Sequence, residues 1–144
     1  MMEVFYVVSG HFFSALLLYL NHRFIFHSKL GNTRLLRGWK KVHTIHHKHD
    51  YGPDWKKYLF IPAWAWVGLI GIAVLIGLVS NAFFALGMFS YMVLYEIVHY
   101  KLHKNPAKNS LSSFHYWHHR KDSQSNFASV YMFIDKIFKT NKMT

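Results

Sequence analysis

The sequence predicts an all-α integral membrane protein: three transmembrane helices, with a fourth left open, and a histidine-rich helical cap on one side of the membrane. Three observations carry this. Of the 144 residues, 52% are apolar and only 16% charged, so a chain of one domain's length holds no second soluble unit and is read as a single membrane domain over 1–144. Three long runs contain no Lys or Arg, and all seventeen Lys and Arg fall outside them, nine within 21–57 and eight within 101–144. The first run, 4–20, is broken only by Ser9, Gly10, His11 and Ser14, and its helix is expected to continue to Phe26. The second, 58–80, is uncharged over 23 residues; as a helix it would be ~35 Å long, against a hydrocarbon core of ~30 Å. Pro62 falls in its first turn, where a missing N–H costs little, and Tyr58, Trp64 and Trp66 cluster at that end as interfacial rings do. Ser80-Asn81 reads as a tight turn into the third span, which runs from Ala82 to about His103.

With three spans, the two basic segments lie on one side. Short basic loops stay cytosolic, which places the N-terminus outside and the segments 21–57 and 99–144 in the cytosol. Met1-Met2-Glu3 lacks a basic leader and no small-residue cleavage site precedes Asn21, so no removable signal peptide is expected. The net charge of +11 is then a consequence of topology, and nucleic acid is not expected as a partner. With no cysteine, the chain has no disulfide framework, no thiol nucleophile and no thiolate metal ligand. Methionine aside, any metal must be held by nitrogen or oxygen.

Twelve histidines are the most unusual feature of the composition, and ten of them form four clusters. These are His22 with His27, His43 with His46 and His47, His99 with His103, and His115 with His118 and His119. On a helix the i, i+3, i+4 sets share a face, as does the i, i+4 pair. His22 and His27 are five apart, ~140° around an ideal helix, so that pair must straddle its target or its helix must loosen. Imidazole is the commonest nitrogen ligand for iron, copper and zinc, and ten exceed what one ion accepts; two ions at about five ligands each would fit. A carboxylate-bridged di-iron site needs about four Glu. Here only Glu96, Asp50 and Asp122 stand near the clusters in sequence, which favours a nitrogen-rich site.

The order HRFIFH, HTIHH, HYKLH, HYWHH resembles the histidine boxes of the fatty acid hydroxylase and sterol desaturase superfamily over roughly 21–140. Leu94 to His103 is similar to the third-box region of fatty acid 2-hydroxylases, where an acid also stands three residues before the first His. Asn126-Phe127, then Asp135 to Thr140, is similar to the family's closing Asn-Phe-Gly and Trp-Asp-x-x-Phe-Gly-Thr, with Ala128, Ile134 and Lys139 at the Gly, Trp and Gly positions. The resemblance implies a non-haem centre of two iron ions, with zinc as a substitute in recombinant protein. It implies use of O2 and two electrons to hydroxylate or desaturate a C–H bond of a lipid, an acyl chain first, with a carotenoid or sterol as the alternative substrate. Three departures stand out: the chain is short, with three spans where four are usual; Lys104 follows the third box where a further His is common; and 144 residues leave no room for a fused electron carrier. A separate ferredoxin or b-type cytochrome is therefore expected as donor.

An acyl C–H bond is strong and apolar, its substrate resides in the bilayer, and a metal centre at the cytosolic ends of the spans would meet lipid on one side and electrons from water on the other. Glu96, costly near a span end unless partnered, is read as an acceptor that orients a ligand imidazole through its far nitrogen. The tail 129–138 has a broad apolar side, with Asp135 and Lys136 elsewhere, and either lies on the membrane or caps the histidine region. The reading from another class is a histidine-rich membrane protein that binds or transports metal. It would want polar ligands inside the spans, where only His11 and Glu96 qualify.

Overall fold

The computed structural model describes residues 1–142. Helix α1 (Met2–Leu20) runs directly into a π-helical turn, Asn21–Phe26. A 3-10 turn at Lys29–Asn32 leads to α2 (Arg37–His49), and a second at Trp55–Tyr58 precedes α3 (Ala63–Val79). Then come α4 (Ala82–Lys104), α5 (Ser110–Arg120) and α6 (Met132–Ile137). No strand occurs among the described residues.

The chain is an all-α membrane protein with three long apolar segments and a histidine-rich helical region. The segments long and apolar enough to cross a bilayer are Met2–Phe26, Trp55–Val79 and Ala82–Lys104. The regular part of the second starts only at Ala63. Pro62 takes the N-cap place rather than one inside the first turn, with ψ 147°, and its carbonyl accepts from Ala65 and Trp66 N–H. Asn81 starts α4 because its Oδ1 accepts from the N–H groups of Phe83 (2.9 Å) and Phe84 (3.3 Å), two donors the first turn leaves unpaired. α5 begins on a reciprocal Asn109–Ser112 capping box.

The chain divides into two compact units, residues 1–17 with 61–97, and 18–60 with 98–144. In the first, α1 and α4 meet backbone to backbone at glycine. A Cβ on Gly10 would lie 2.0 Å from the Phe84 carbonyl oxygen, and one on Gly87 2.0 Å from that of Val7, so neither position accepts a side chain. Close by, His11 Nδ1 and Ser90 Oγ are 2.8 Å apart. α3 leaves Val67, Leu78 and Val79 72 to 85% exposed, as a lipid-facing surface would.

The second unit has a polar core. Its most deeply buried side chains are Tyr19, His115, His118, Asn126, Asp135, Ser112 and Ser125. The tail is helical only over Met132–Ile137, and Asp135, set off its apolar side in the sequence, is fully buried beside Ile134. Its carboxylate is the hydrogen-bond acceptor around which the tail folds.

Candidate metal centre

All ten box histidines come together in the second unit, as two groups of five. His22, His27, His43, His47 and His118 form one group, and His46, His99, His103, His115 and His119 the other; in each, one ring nitrogen per residue lies within 4.8 Å of all the rest. The boxes do not map one to one onto groups. α2 sends His43 and His47 to the first group and His46 to the second, while α5 sends His115 and His119 to the second and His118 to the first. Successive helical residues point ~100° apart, so an HxxHH set presents a face wide enough to serve two ions.

The His22–His27 pair is reconciled by loosening of the helix. In the π-helical turn His27 N–H donates to the His22 carbonyl at 3.2 Å, five residues back, and the two ring centroids lie 5.0 Å apart. A π-bulge inside a helix frequently marks a functional position.

The spacing of the ring nitrogens fits metal ions. Nε2 atoms are 2.8 Å apart in His27/His43, 3.2 Å in His47/His118, 3.2 Å in His99/His103 and 3.0 Å in His103/His115. Two nitrogens at ~2.1 Å from one ion are ~3.0 Å apart at a right angle and ~3.4 Å apart in a tetrahedron. The observed edges, 2.8 to 3.2 Å, are of the size that two nitrogens on one ion would show. His22 and His46 use Nδ1–H on the backbone carbonyls of Phe127 (2.6 Å) and Tyr58 (3.2 Å). Each Nε2 is then a bare lone pair, buried and without a hydrogen-bond partner among the described residues. Such atoms are costly unless something accepts the lone pair. The two histidine groups are therefore suited to holding two iron-like metal ions.

Further outer contacts fix ring orientation. His118 Nδ1–H donates to the Ser125 carbonyl at 2.6 Å and His103 Nδ1–H to that of Asp50 at 3.0 Å. Asp50 Oδ2 stands 3.2 Å from His119 Nδ1, while Oδ1 takes Arg120 at 2.9 Å and Tyr51 N–H at 2.8 Å. Flat rings cover the ligands: Phe26 stacks on His43 at 4.6 Å and Tyr51 on His103 at 4.9 Å. Asp135 and the functional part of Asp50 escaped the sequence reading. The available signals were an acid three residues after an HH pair and the Asp of the closing segment.

Burial, joined for all but His118 by neighbouring imidazoles, holds the box histidines outside the spans below their ordinary value of 6.5. His43, His115 and His119 lie well below it, and His27 is lowered to about 3 by burial, His118 and Lys40. For His46 (about 3) and His118 (about 4) burial outweighs the carbonyl bonds that pull the other way. The neutral ring is the ligating form. Below pH 6.5 the unfolded chain binds more protons than the folded one, so stability falls as pH drops from about 6.5 toward 3. Thermal melting of metal-free protein should therefore give a lower Tm at pH 5 than at pH 7.5, and bound metal should be released over the same interval. An unchanged Tm and metal content between those pH values would contradict this.

Glu96, His49 and Lys104 belong to neither histidine group. Glu96 Oε1 accepts from Ile61 N–H (3.0 Å) and Trp66 Nε1–H (3.3 Å), so this oxygen ties α4 to the start of α3 and not to an imidazole. His49 stacks on Tyr58 at 4.4 Å, and Lys104 lies 5.9 Å from the Tyr100 ring. Both groups have five histidines without these residues.

Comparison with known proteins agrees with this geometry. Residues 7–140 match the fatty acid hydroxylase family. The chain is 30% identical to dihydroceramide fatty acyl 2-hydroxylase FAH1 of Arabidopsis thaliana, over 93% of its own length and 59% of that protein's. It is 32% identical to fatty acid 2-hydroxylase of Homo sapiens, over 91% and 38%. The solved structure of full-length scs7p, in which only the hydroxylase domain is visible, superposes with a TM-score of 0.79 at 26% identity, covering 99% of this chain and 57% of that one. The chain thus spans less than two thirds of the length of the relatives it matches.

Proposed function

The chain belongs to the fatty acid hydroxylase family, and on that premise we propose that it is a membrane-bound non-haem di-iron oxygenase that hydroxylates a C–H bond of a fatty acyl chain. One oxygen atom of O2 enters the lipid and the other leaves as water, with two electrons from a separate carrier, a ferredoxin or b-type cytochrome, and two protons from solvent. The observation that carries this is the pair of five-histidine groups with buried, unpartnered ring nitrogens. The relatives' activity, fatty acyl 2-hydroxylation, supports an acyl chain over a sterol or carotenoid and hydroxylation over desaturation.

Bound iron supplies the one-electron and oxygen chemistry that no side chain can. The chain's own residues do the rest. The ten histidines offer neutral nitrogen donors, backbone carbonyls take the Nδ1 protons of His22, His46, His103 and His118 so that their Nε2 atoms would be left for an ion, and the Phe26 and Tyr51 rings stack on His43 and His103. Glu96 keeps a second oxygen, Oε2, buried and without a hydrogen-bond partner among the described residues. We propose that this oxygen serves turnover and not metal binding. Glu96→Gln, which keeps the acceptor for Ile61 N–H, should lower turnover roughly 10 to 100-fold with both ions retained; loss of metal would overturn that role.

The deciding experiment is lipid mass spectrometry of a host expressing the protein with a suitable reductase. Gain of one oxygen in an acyl chain is the expected result. Loss of two hydrogens would mean desaturation, and unchanged lipids with both ions loaded would sink the oxygenase reading. The charge distribution supports a cytosolic position for the histidine segments and an outside N-terminus. Cysteines introduced at Asn81 and Ser110 check this in intact cells. An impermeant thiol reagent should label position 81 and spare position 110, and the opposite pattern would invert the topology.

A further inference from the structure

Outer contacts of the two histidine groups lead to two different acidic residues, one for each group. In the first group, His22 and His118 donate to the carbonyls of Phe127 and Ser125, both at 2.6 Å. These carbonyls lie in a stretch without regular structure, whose shape is set by Asp135. Its Oδ1 accepts from Phe127 N–H (2.8 Å) and Thr140 Oγ1–H (2.7 Å), and its Oδ2 accepts from Ala128 N–H (2.7 Å). The peptide between Phe127 and Ala128 thus carries the carboxylate on its N–H and the His22 ring on its C=O. That is a carboxylate–histidine contact with one peptide plane inserted, and both of its hydrogen bonds have the short length of charge-assisted ones. Asn126 adopts a left-handed φ of 57° to make this possible, with its N–H on the Thr140 carbonyl. Tyr19 Oη, 2.9 Å from Thr140 Oγ1, anchors the far side.

The second group depends on Asp50. This residue touches two of the five ligands directly, His119 through Oδ2 at 3.2 Å and His103 through its carbonyl at 3.0 Å. Of the outer contacts of His22, His118, His46, His103 and His119, those of the first pair do not reach residue 50 and those of the other three do not reach 125–140.

We propose that Asp135 and Asp50 are positioning residues, each holding one of the two metal sites, so that the two sites can be emptied separately. The proposal rests on the two-ion reading above. The opposing consideration is that α2 and α5 each feed both groups. Those helices keep their own backbone ladders when an outer partner is lost, however, whereas a ring released at Nδ1 can turn its Nε2 away from the ion. Loss of an outer partner costs roughly 10 to 100-fold in metal affinity, and here it falls on one group at a time.

The test counts ions per monodisperse chain. Wild type should hold two; fewer would sink the two-ion reading itself, before any variant is made. Asp135→Asn presents an NH2 to one of the N–H donors, and should keep one ion with unchanged helical circular dichroism. Asp50→Asn should also keep one. Combination identifies the site: Asp135→Asn with His22→Ala should still keep one ion, and Asp135→Asn with His103→Ala none. Should Asp135→Asn misfold, Thr140→Val removes one hydroxyl from the same carboxylate. Chelator competition should then show one of its two ions weakened 10-fold or more and the other unchanged. Loss of both ions in folded Asp135→Asn, retention of both at wild-type affinity, equal weakening of both in Thr140→Val, or a reversed pattern in the combinations would overturn the assignment.

Discussion

Replacing His118 with alanine should abolish lipid oxidation and remove metal from the first histidine group. The ring is fully buried, its Nδ1–H is fixed on Ser125 and its Nε2 faces that of His47 at 3.2 Å. Alanine therefore deletes a donor that nothing nearby can replace, and the effect should exceed the roughly 10 to 100-fold expected for an outer partner. His47→Ala should behave the same way. His11→Ala serves as the contrast. His11 pairs with Ser90 inside the apolar unit, and its loss removes an interhelical hydrogen bond worth roughly 1 kcal/mol while both ions and most turnover remain. Metal content and product, measured side by side, rank the three. Should His11→Ala lose metal and His118→Ala retain it, the ions are held among the spans, and metal transport becomes the better reading.

Why the histidines could be found in the sequence, and their pairing could not, follows from the kind of information each needs. Membrane spans are set by local composition over ~20 residues, so Trp55–Val79 and Ala82–Lys104 are visible in hydropathy alone. Ligand spacing on a helix is also local, and HTIHH and HYWHH announce themselves. Which ion each ring serves is a tertiary property: His46 and His47 are neighbours in sequence, yet belong to different groups. The five-residue gap between His22 and His27 posed a choice between straddling and loosening, and only the π-helical turn decides it. Asp135 stayed hidden for a related reason. A carboxylate beside a lysine on a short amphipathic tail gives no sign of burial, because its three N–H and O–H donors come from Phe127, Ala128 and Thr140, five to eight residues away. Asp50 was noted for its distance from an HH pair, but its role depends on a carbonyl that reaches His103, 53 residues further on.

Removing both ions with a chelator and reloading them should separate stability from chemistry. Without metal, ring nitrogens such as His22 Nε2 and His46 Nε2 remain buried and unpartnered among the described residues, an arrangement that costs free energy in a low-dielectric interior. An ion that binds only the folded chain stabilises it by RT ln(1 + [L]/Kd), about 4 kcal/mol when its concentration is ~1,000 times Kd. Either iron or zinc should therefore raise the Tm of metal-free protein by several degrees, and zinc by more, since nitrogen donors bind zinc more tightly than ferrous iron. Product should appear with iron and a reductant only, because zinc has no redox chemistry to offer. Oxidised lipid from the zinc form would show that the ions do not carry the electrons. A Tm indifferent to both metals would mean that the two histidine groups hold no ion, and the oxygenase reading would fall with it.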